Sequence, residues 1–248
     1  MRPAGLLCAG LAIVALAVLP GCGDDSSTKT KTKTKTATAA KGPAIDGRAF
    51  TAKMLDGIPQ DGIALGDPRA KVTLVEFMDA QCPYCKQFAE ATFPTLVHDF
   101  IRTGKVRYEA RLIAFLGPES ITGAKFLEAA GLQGKQANAT ALLLHNQGQE
   151  NTGYMTPAFL RAVAAAVPGL DIARLRRDAA APEREEELAA NRTLGSRYAV
   201  TSTPTLLLGP TDGDLERIPA KAFDEVDSYR AALQRAVDAA DGTTRPAR

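Results

Sequence analysis

The chain has no tryptophan, two histidines and four cysteines among 248 residues, and its formal net charge is only +2. Each scarcity excludes something. The lysines and arginines are not gathered into a basic patch interleaved with aromatics, so nucleic-acid binding has no compositional support. His98 and His145 stand far apart in sequence and there is no second Cys-x-x-Cys, so a zinc site would lack two of its four ligands and no metal centre is expected. Each histidine reads as a surface or packed helical residue. No cofactor is implied by any motif. The apolar content of 45% is ordinary for a packed core, and the length suits one good-sized domain with appendages.

The cysteines must be read one by one. Cys8 lies in Leu6 to Leu19, an uncharged run that follows Arg2 and ends at small residues, which is the pattern of an export leader. The run is too short to span a bilayer comfortably. It ends at Leu19-Pro20-Gly21-Cys22, similar to a bacterial lipoprotein cleavage box, which implies lipidation of Cys22 and residues 1–22 as a signal peptide. Ordinary secretory cleavage and an uncleaved anchor are the alternatives; all three place the remainder outside the cytoplasm. Pro20 departs from the usual small or β-branched residue. From Thr28 to Thr36 lysine and threonine alternate strictly. No core can be built from that, and 23–42 reads as a hydrated, self-repelling tether to the membrane surface.

If Cys8 leaves with the leader and Cys22 is acylated, Cys82 and Cys85 remain. A loop of that size adds little stability through cross-linking, so reactivity explains the pair better than stapling. The run Val72 to Phe77 predicts a buried strand. Cys82 to Phe100 then takes helical spacing, which Pro94 should kink or interrupt, and Val106 to Ile113 reads as a second strand. The strand–turn–helix order puts Cys82 at a helix N-terminus, where unsatisfied N–H groups and the helix dipole favour thiolate over thiol. Cys82 is therefore the expected nucleophile and Cys85, one turn inside, the resolving thiol. Lys86 adds favourable charge and Asp79 opposes it. Half a zinc site and a structural bridge are the competing readings of the pair.

Two further features stand near. Glu76 sits six positions before Cys82 in an otherwise apolar strand; a carboxylate there costs desolvation unless it has a partner or a task. It could face water at a strand edge, or, buried, take the Cys85 proton as a general base. Thr203-Pro204-Thr205 directly precedes the strand Thr205 to Leu208. Between about 118 and 198 the chain is alanine-rich and helical, with starts at Thr156-Pro157, Asp171 and Pro182, giving four or five short helices. A further strand is expected at Leu215 to Ile218 and a closing amphipathic helix over Phe223 to Ala240.

Glu76 to Lys86, taken with Val200 to Thr205, closely resembles the DsbA-like branch of the thioredoxin superfamily. The resemblance covers roughly Pro59 to Ala240. It implies an α/β thioredoxin fold over 43–245, with an all-helical insertion at 118–198 that accounts for the 122 positions between Cys82 and Pro204. It further implies an exposed nucleophile at Cys82, resolution by Cys85, a buried carboxylate at Glu76, and a cis Thr203–Pro204 peptide beside the dithiol, with Pro83, Tyr84, Thr203 and Pro204 meeting the substrate. The expected activity is thiol:disulfide exchange with protein thiols as a mild dithiol oxidase, since Tyr84 stands where DsbA proper has histidine. Reductase or isomerase action with the same pair, and a redox-inactive binding lipoprotein, are the alternatives. A monomer is expected, reoxidised by a membrane enzyme resembling DsbB or vitamin-K-epoxide reductase. Asn138-Ala-Thr140 and Asn191-Arg-Thr193 match glycosylation sequons and are read as coincidence.

Overall fold

The computed structural model describes residues 42–219 and 222–243. The leader, Cys8, Cys22 and the Lys-Thr tract lie outside the described residues. Helix α1 (Arg48–Leu55) and a short hairpin, β1 (Gln60–Asp61) and β2 (Ala64–Leu65), precede the central strand β3 (Val72–Met78). All seven residues of β3 are buried, as expected of a strand covered on both faces. It pairs in parallel with β4 (Val106–Leu112), from Val72↔Val106 to Met78↔Leu112, and antiparallel with β5 (Thr205–Pro210). With β6 (Glu216–Arg217) at the far edge, the order is β1-β2-β4-β3-β5-β6. The parallel β3–β4 pair makes the sheet mixed and is joined by a helical crossover, the βαβ unit read from the sequence.

β4 alternates. Val106, Tyr108, Ala110 and Leu112 face the core, while Arg107, Glu109 and Arg111 form an ion-pair ladder on the other face, at 3.0 Å and 2.8 Å. The crossover begins with α2 (Pro83–Ala91), which ends at Thr92; α3 (Phe93–Leu96) carries Pro94 and passes into a π-helical turn at Val97–Ile101. Pro94 has no N–H to donate and its ring crowds the preceding turn, so the helix breaks there. Beneath α2 runs a chain of aromatic contacts: Phe88 to Tyr229 at 5.6 Å, Phe88 to Phe93 at 6.2 Å, and Phe93 to Tyr108 at 4.7 Å.

Between β4 and β5 come α4 (Pro118–Gly131), α5 (Gln136–His145), α6 (Pro157–Ala166), α7 (Ile172–Ala180) and α8 (Glu183–Arg197). Thr156 caps α6 by accepting from Phe159 N at 3.1 Å, and Asp171 caps α7 by accepting from Arg174 N at 2.9 Å, the usual service of these residue types. A buried polar knot fastens the helices to the sheet. Asn191 of α8 donates to Leu112 O at 3.3 Å and to Glu128 Oε1 at 3.1 Å, and Gln136 donates to Glu128 Oε2 at 3.3 Å. Burial, reinforced by Glu187, pushes the Glu128 carboxyl up to about 7. Both sequon asparagines are thus engaged: Asn138 accepts from Gln60 at 2.7 Å, and Asn191 is buried.

Two expectations need correction, and two elements were not expected at all. The closing helix α9 (Val226–Ala240) starts three residues later than the spacing predicts, because Phe223 lies against the Tyr84 ring at 5.8 Å and its carbonyl accepts the Thr92 hydroxyl at 2.7 Å. β6 keeps only two of the four expected residues. Helix α1 and the β1–β2 hairpin have no counterpart in the sequence reading: α1 buries only Thr51 and Leu55, and two-residue strands show no period.

Candidate active site

β3 ends at Met78 and the chain turns through Asp79-Ala80-Gln81 into α2, for which Cys82 is the N-cap and Pro83 the first residue. That turn is held from several sides. Asp79 Oδ1 accepts from Gln81 N at 2.8 Å and the Ser120 hydroxyl at 2.6 Å, and its Oδ2 accepts from Phe115 N at 3.0 Å and Leu116 N at 3.2 Å. Gln147 donates to Ala80 O at 3.0 Å and Cys82 O at 3.3 Å. Asp79 therefore serves as an anchor between the cysteine turn and the helical insertion. Asp79→Asn puts an amide where amide donors already point, and the fold is expected to lose about 2 kcal/mol in a denaturant titration, while Ser120→Ala, which removes one donor, loses about half that.

Both cysteines are free thiols. Cys85 N donates to Cys82 Sγ at 3.3 Å, and Cys82 in its thiol form donates to Thr203 O at 3.2 Å. The Thr203–Pro204 peptide is cis, and the Thr205 hydroxyl fixes the turn by donating to Ser202 O at 2.7 Å. One expectation fails here. Cys82, expected to be exposed, is only 3% accessible, because the Thr203 carbonyl lies over its sulfur. Pro83 and Tyr84 are the exposed members of the motif, and Tyr84 is 58% accessible. Cys85 is wholly buried.

The two thiols are driven apart electrostatically. Cys82 is lowered to about 6, first by the Cys85 side chain, which donates its proton toward the Cys82 sulfur, with the Thr203 side chain and the Cys85 and Tyr84 amides adding to it against the cost of burial. Cys85 is raised well above the usual thiol range by burial, by that same donated bond, and by the negative charge of Glu76. Lys86 is turned elsewhere: its Nζ donates to His145 O at 3.1 Å and lies 4.0 Å from Glu90. His145 also reaches Glu90, Nδ1 to Oε1 at 3.0 Å, and the exposed His98 lies against Asp99 at 2.8 Å.

Glu76 is buried, not at a water-facing strand edge. Its Oε2 accepts the Tyr108 hydroxyl at 2.6 Å. Burial raises its carboxyl to about 7, the Tyr108 bond pulls the other way, and the Cys82 charge adds to the rise. A carboxyl half-ionised at neutral pH beside a thiol that holds its proton can exchange a proton with it. Tyr108 escaped the sequence reading, although a tyrosine on the buried side of a strand requires a partner for its hydroxyl. Tyr108→Phe removes the bond that favours the ionised carboxylate, so Glu76 should titrate about one unit higher, readable as the midpoint of its carboxyl carbon chemical shift against pH.

Comparison with known proteins places the fold. A family model described as Thioredoxin matches residues 59–224. The Bacillus cereus protein named "Probable disulfide bond formation protein D" is 25% identical over 175 residues, which cover 69% of this chain and 77% of that protein. Oxidised BdbD from Bacillus subtilis superposes with a TM-score of 0.62 at 22% identity, covering 73% of this chain and 97% of that one. DsbA from Chlamydia trachomatis superposes at 0.59 with 21% identity, covering 70% and 91%.

Proposed function

Because this chain belongs to the thioredoxin family, as a DsbA-like thiol:disulfide oxidoreductase, we propose that it acts as a mild dithiol oxidase of exported proteins through Cys82 and Cys85. In the oxidised protein a substrate thiolate attacks Cys82 Sγ, the Cys82–Cys85 bond breaks, and Cys85 leaves carrying the electron pair. Glu76 in its protonated form supplies a proton to the departing Cys85 sulfur. A second substrate thiolate then attacks the substrate sulfur of the mixed disulfide and expels Cys82. The substrate gains a disulfide, and the protein is left as a dithiol. Thr203 and Pro204, with exposed Pro83 and Tyr84, line the approach, and the substrate lies extended along the Thr203 backbone.

The observation that supports the oxidase direction is the placement of Cys82 at the N-terminus of α2, with Cys85 N donating to its sulfur at 3.3 Å, which accords with the lowering of its thiol to about 6. A sulfur that is stable as a thiolate is a good leaving group and favours the reduced state, so its disulfide tends to pass on to a substrate. Glu76 and Cys85 serve the reverse reaction equally: on reoxidation Glu76 accepts the Cys85 proton. We assign that step to a membrane quinone enzyme of the DsbB-like or vitamin-K-epoxide-reductase-like class. Lipidation at Cys22, the 23–42 tether and a monomeric domain on the outer face of the cytoplasmic membrane complete the reading. Mixing the oxidised protein with a reduced, unfolded multi-thiol protein should consume two substrate thiols per chain. Failure to consume thiols, with brisk reduction of a disulfide substrate by the dithiol form, would assign it to reductases instead.

A further inference from the structure

Within the helical insertion, α4, α6 and α7 line a half-open pocket of about 350 Å³ whose walls include Phe126, Leu160 and Leu175 and whose rim carries Lys125, Arg161 and Arg176. Among the described residues no carboxylate lines it. The rim charges are not equally committed. Lys125 is paired with Glu185 at 2.5 Å, and the nearby Arg174 and Arg184 pair with Asp178 at 3.2 Å and Glu187 at 2.6 Å. Arg161 and Arg176 are exposed and, among the described residues, neither makes an ion pair or a side-chain hydrogen bond. A half-open apolar pocket lined by two guanidinium groups without an ion-pair partner among the described residues is complementary to one chemical class, an apolar chain ending in an anion. Guanidinium groups bind carboxylates in bidentate fashion with charge-assisted strength.

We propose that this pocket binds a single-chain anionic amphiphile, an alkyl carboxylate, with its chain against Phe126, Leu160 and Leu175 and its carboxylate between Arg161 and Arg176. The volume is at the lower end of small-molecule sites, which suits one chain and not a two-chain phospholipid. The chain's own Lys-Thr tract is cationic and would be repelled by the rim. The inference does not depend on the redox reading: none of these residues touches Cys82, Cys85 or Glu76 through any hydrogen bond or ion pair among the described residues.

The test uses the full chain in neutral phosphatidylcholine vesicles with a photoreactive dodecanoate, followed by mapping of the labelled peptides. Label should concentrate in peptides of α4, α6 and α7. It should fall at least about tenfold when the carboxylate is replaced by an amide, and equally in Arg161→Gln/Arg176→Gln. Leu160→Trp, which fills the pocket, should also exclude it, and unchanged thiol exchange by each variant reports an intact fold. Labelling that is insensitive to both the head group and the arginines, or preferential labelling of the site by a photoreactive two-chain phospholipid, would overturn the proposal.

Discussion

Replacing Cys82 by serine is expected to bring thiol oxidation down to the rate of the uncatalysed reaction, a loss of at least about a thousandfold, because a hydroxyl neither attacks a disulfide nor forms one. Cys85→Ser should behave differently. The Cys82 thiolate remains and attacks a substrate disulfide, but no second thiol releases the product, so a mixed disulfide builds up and is visible as a shifted band on a non-reducing gel. Cys85→Ala carries a sharper forecast. The Cys85 S–H is the largest influence lowering Cys82, so its removal should move the Cys82 titration above about 6, measured as thiolate absorbance against pH. An unmoved titration would mean that the helix terminus and Thr203 hold the thiolate unaided.

Glu76→Gln should make the protein slower and more stable at once. The wild-type carboxyl is raised from 4.5 to about 7 in the fold. A group whose folded value exceeds its unfolded one favours folding in its protonated form, so its stabilisation is complete below pH 4.5 and is lost as pH rises through about 7. The rise of about 2.5 units corresponds to ~3 kcal/mol of penalty at alkaline pH. Glutamine resembles the protonated acid and can still accept from Tyr108. The variant should therefore match wild type near pH 4 and exceed it by up to ~3 kcal/mol near pH 9, in paired denaturant titrations. Cys82 works in the opposite sense: lowered to about 6, it stabilises the reduced fold at high pH and loses that contribution as pH falls through 6. Resolution by Cys85 should slow by about a hundredfold in the Gln variant, and its pH dependence near 7 should vanish. Equal stability at both pH values would show that Glu76 is better solvated than its 3% exposure indicates.

Much of the site lay open to sequence reading because its parts sit at fixed local spacings. Cys82, Cys85 and Glu76 fall within one strand–turn–helix segment, whereas Thr203-Pro204, by itself an ordinary X-Pro turn before an apolar strand, is marked out by the family resemblance. What stayed hidden was decided by register and by distant chain. Tyr108 reads as one more core residue of an alternating strand, and only the parallel pairing of Leu74 with Tyr108 brings its hydroxyl to Glu76. Ser120 and Gln147, which hold the cysteine turn, come from the helical insertion 41 and 67 positions away from their partners, beyond any local pattern. Charge read by proximity in sequence also misled: Lys86 adjoins Cys85 but spends its ammonium on His145 and Glu90, while Asp79 spends its carboxylate on four neighbouring donors.

The measurement that bears most directly on oxidase action is the reduction potential of the Cys82–Cys85 pair, equilibrated in glutathione buffers with free thiols trapped by alkylation. At pH 7 a thiol of pKa about 6 favours the reduced state by ~1 kcal/mol more than one of pKa about 7, or about 20 mV. The account therefore predicts a value between about −250 mV and about −120 mV, above thioredoxin and no higher than DsbA. A value at or below about −270 mV would contradict it and make the chain a source of electrons.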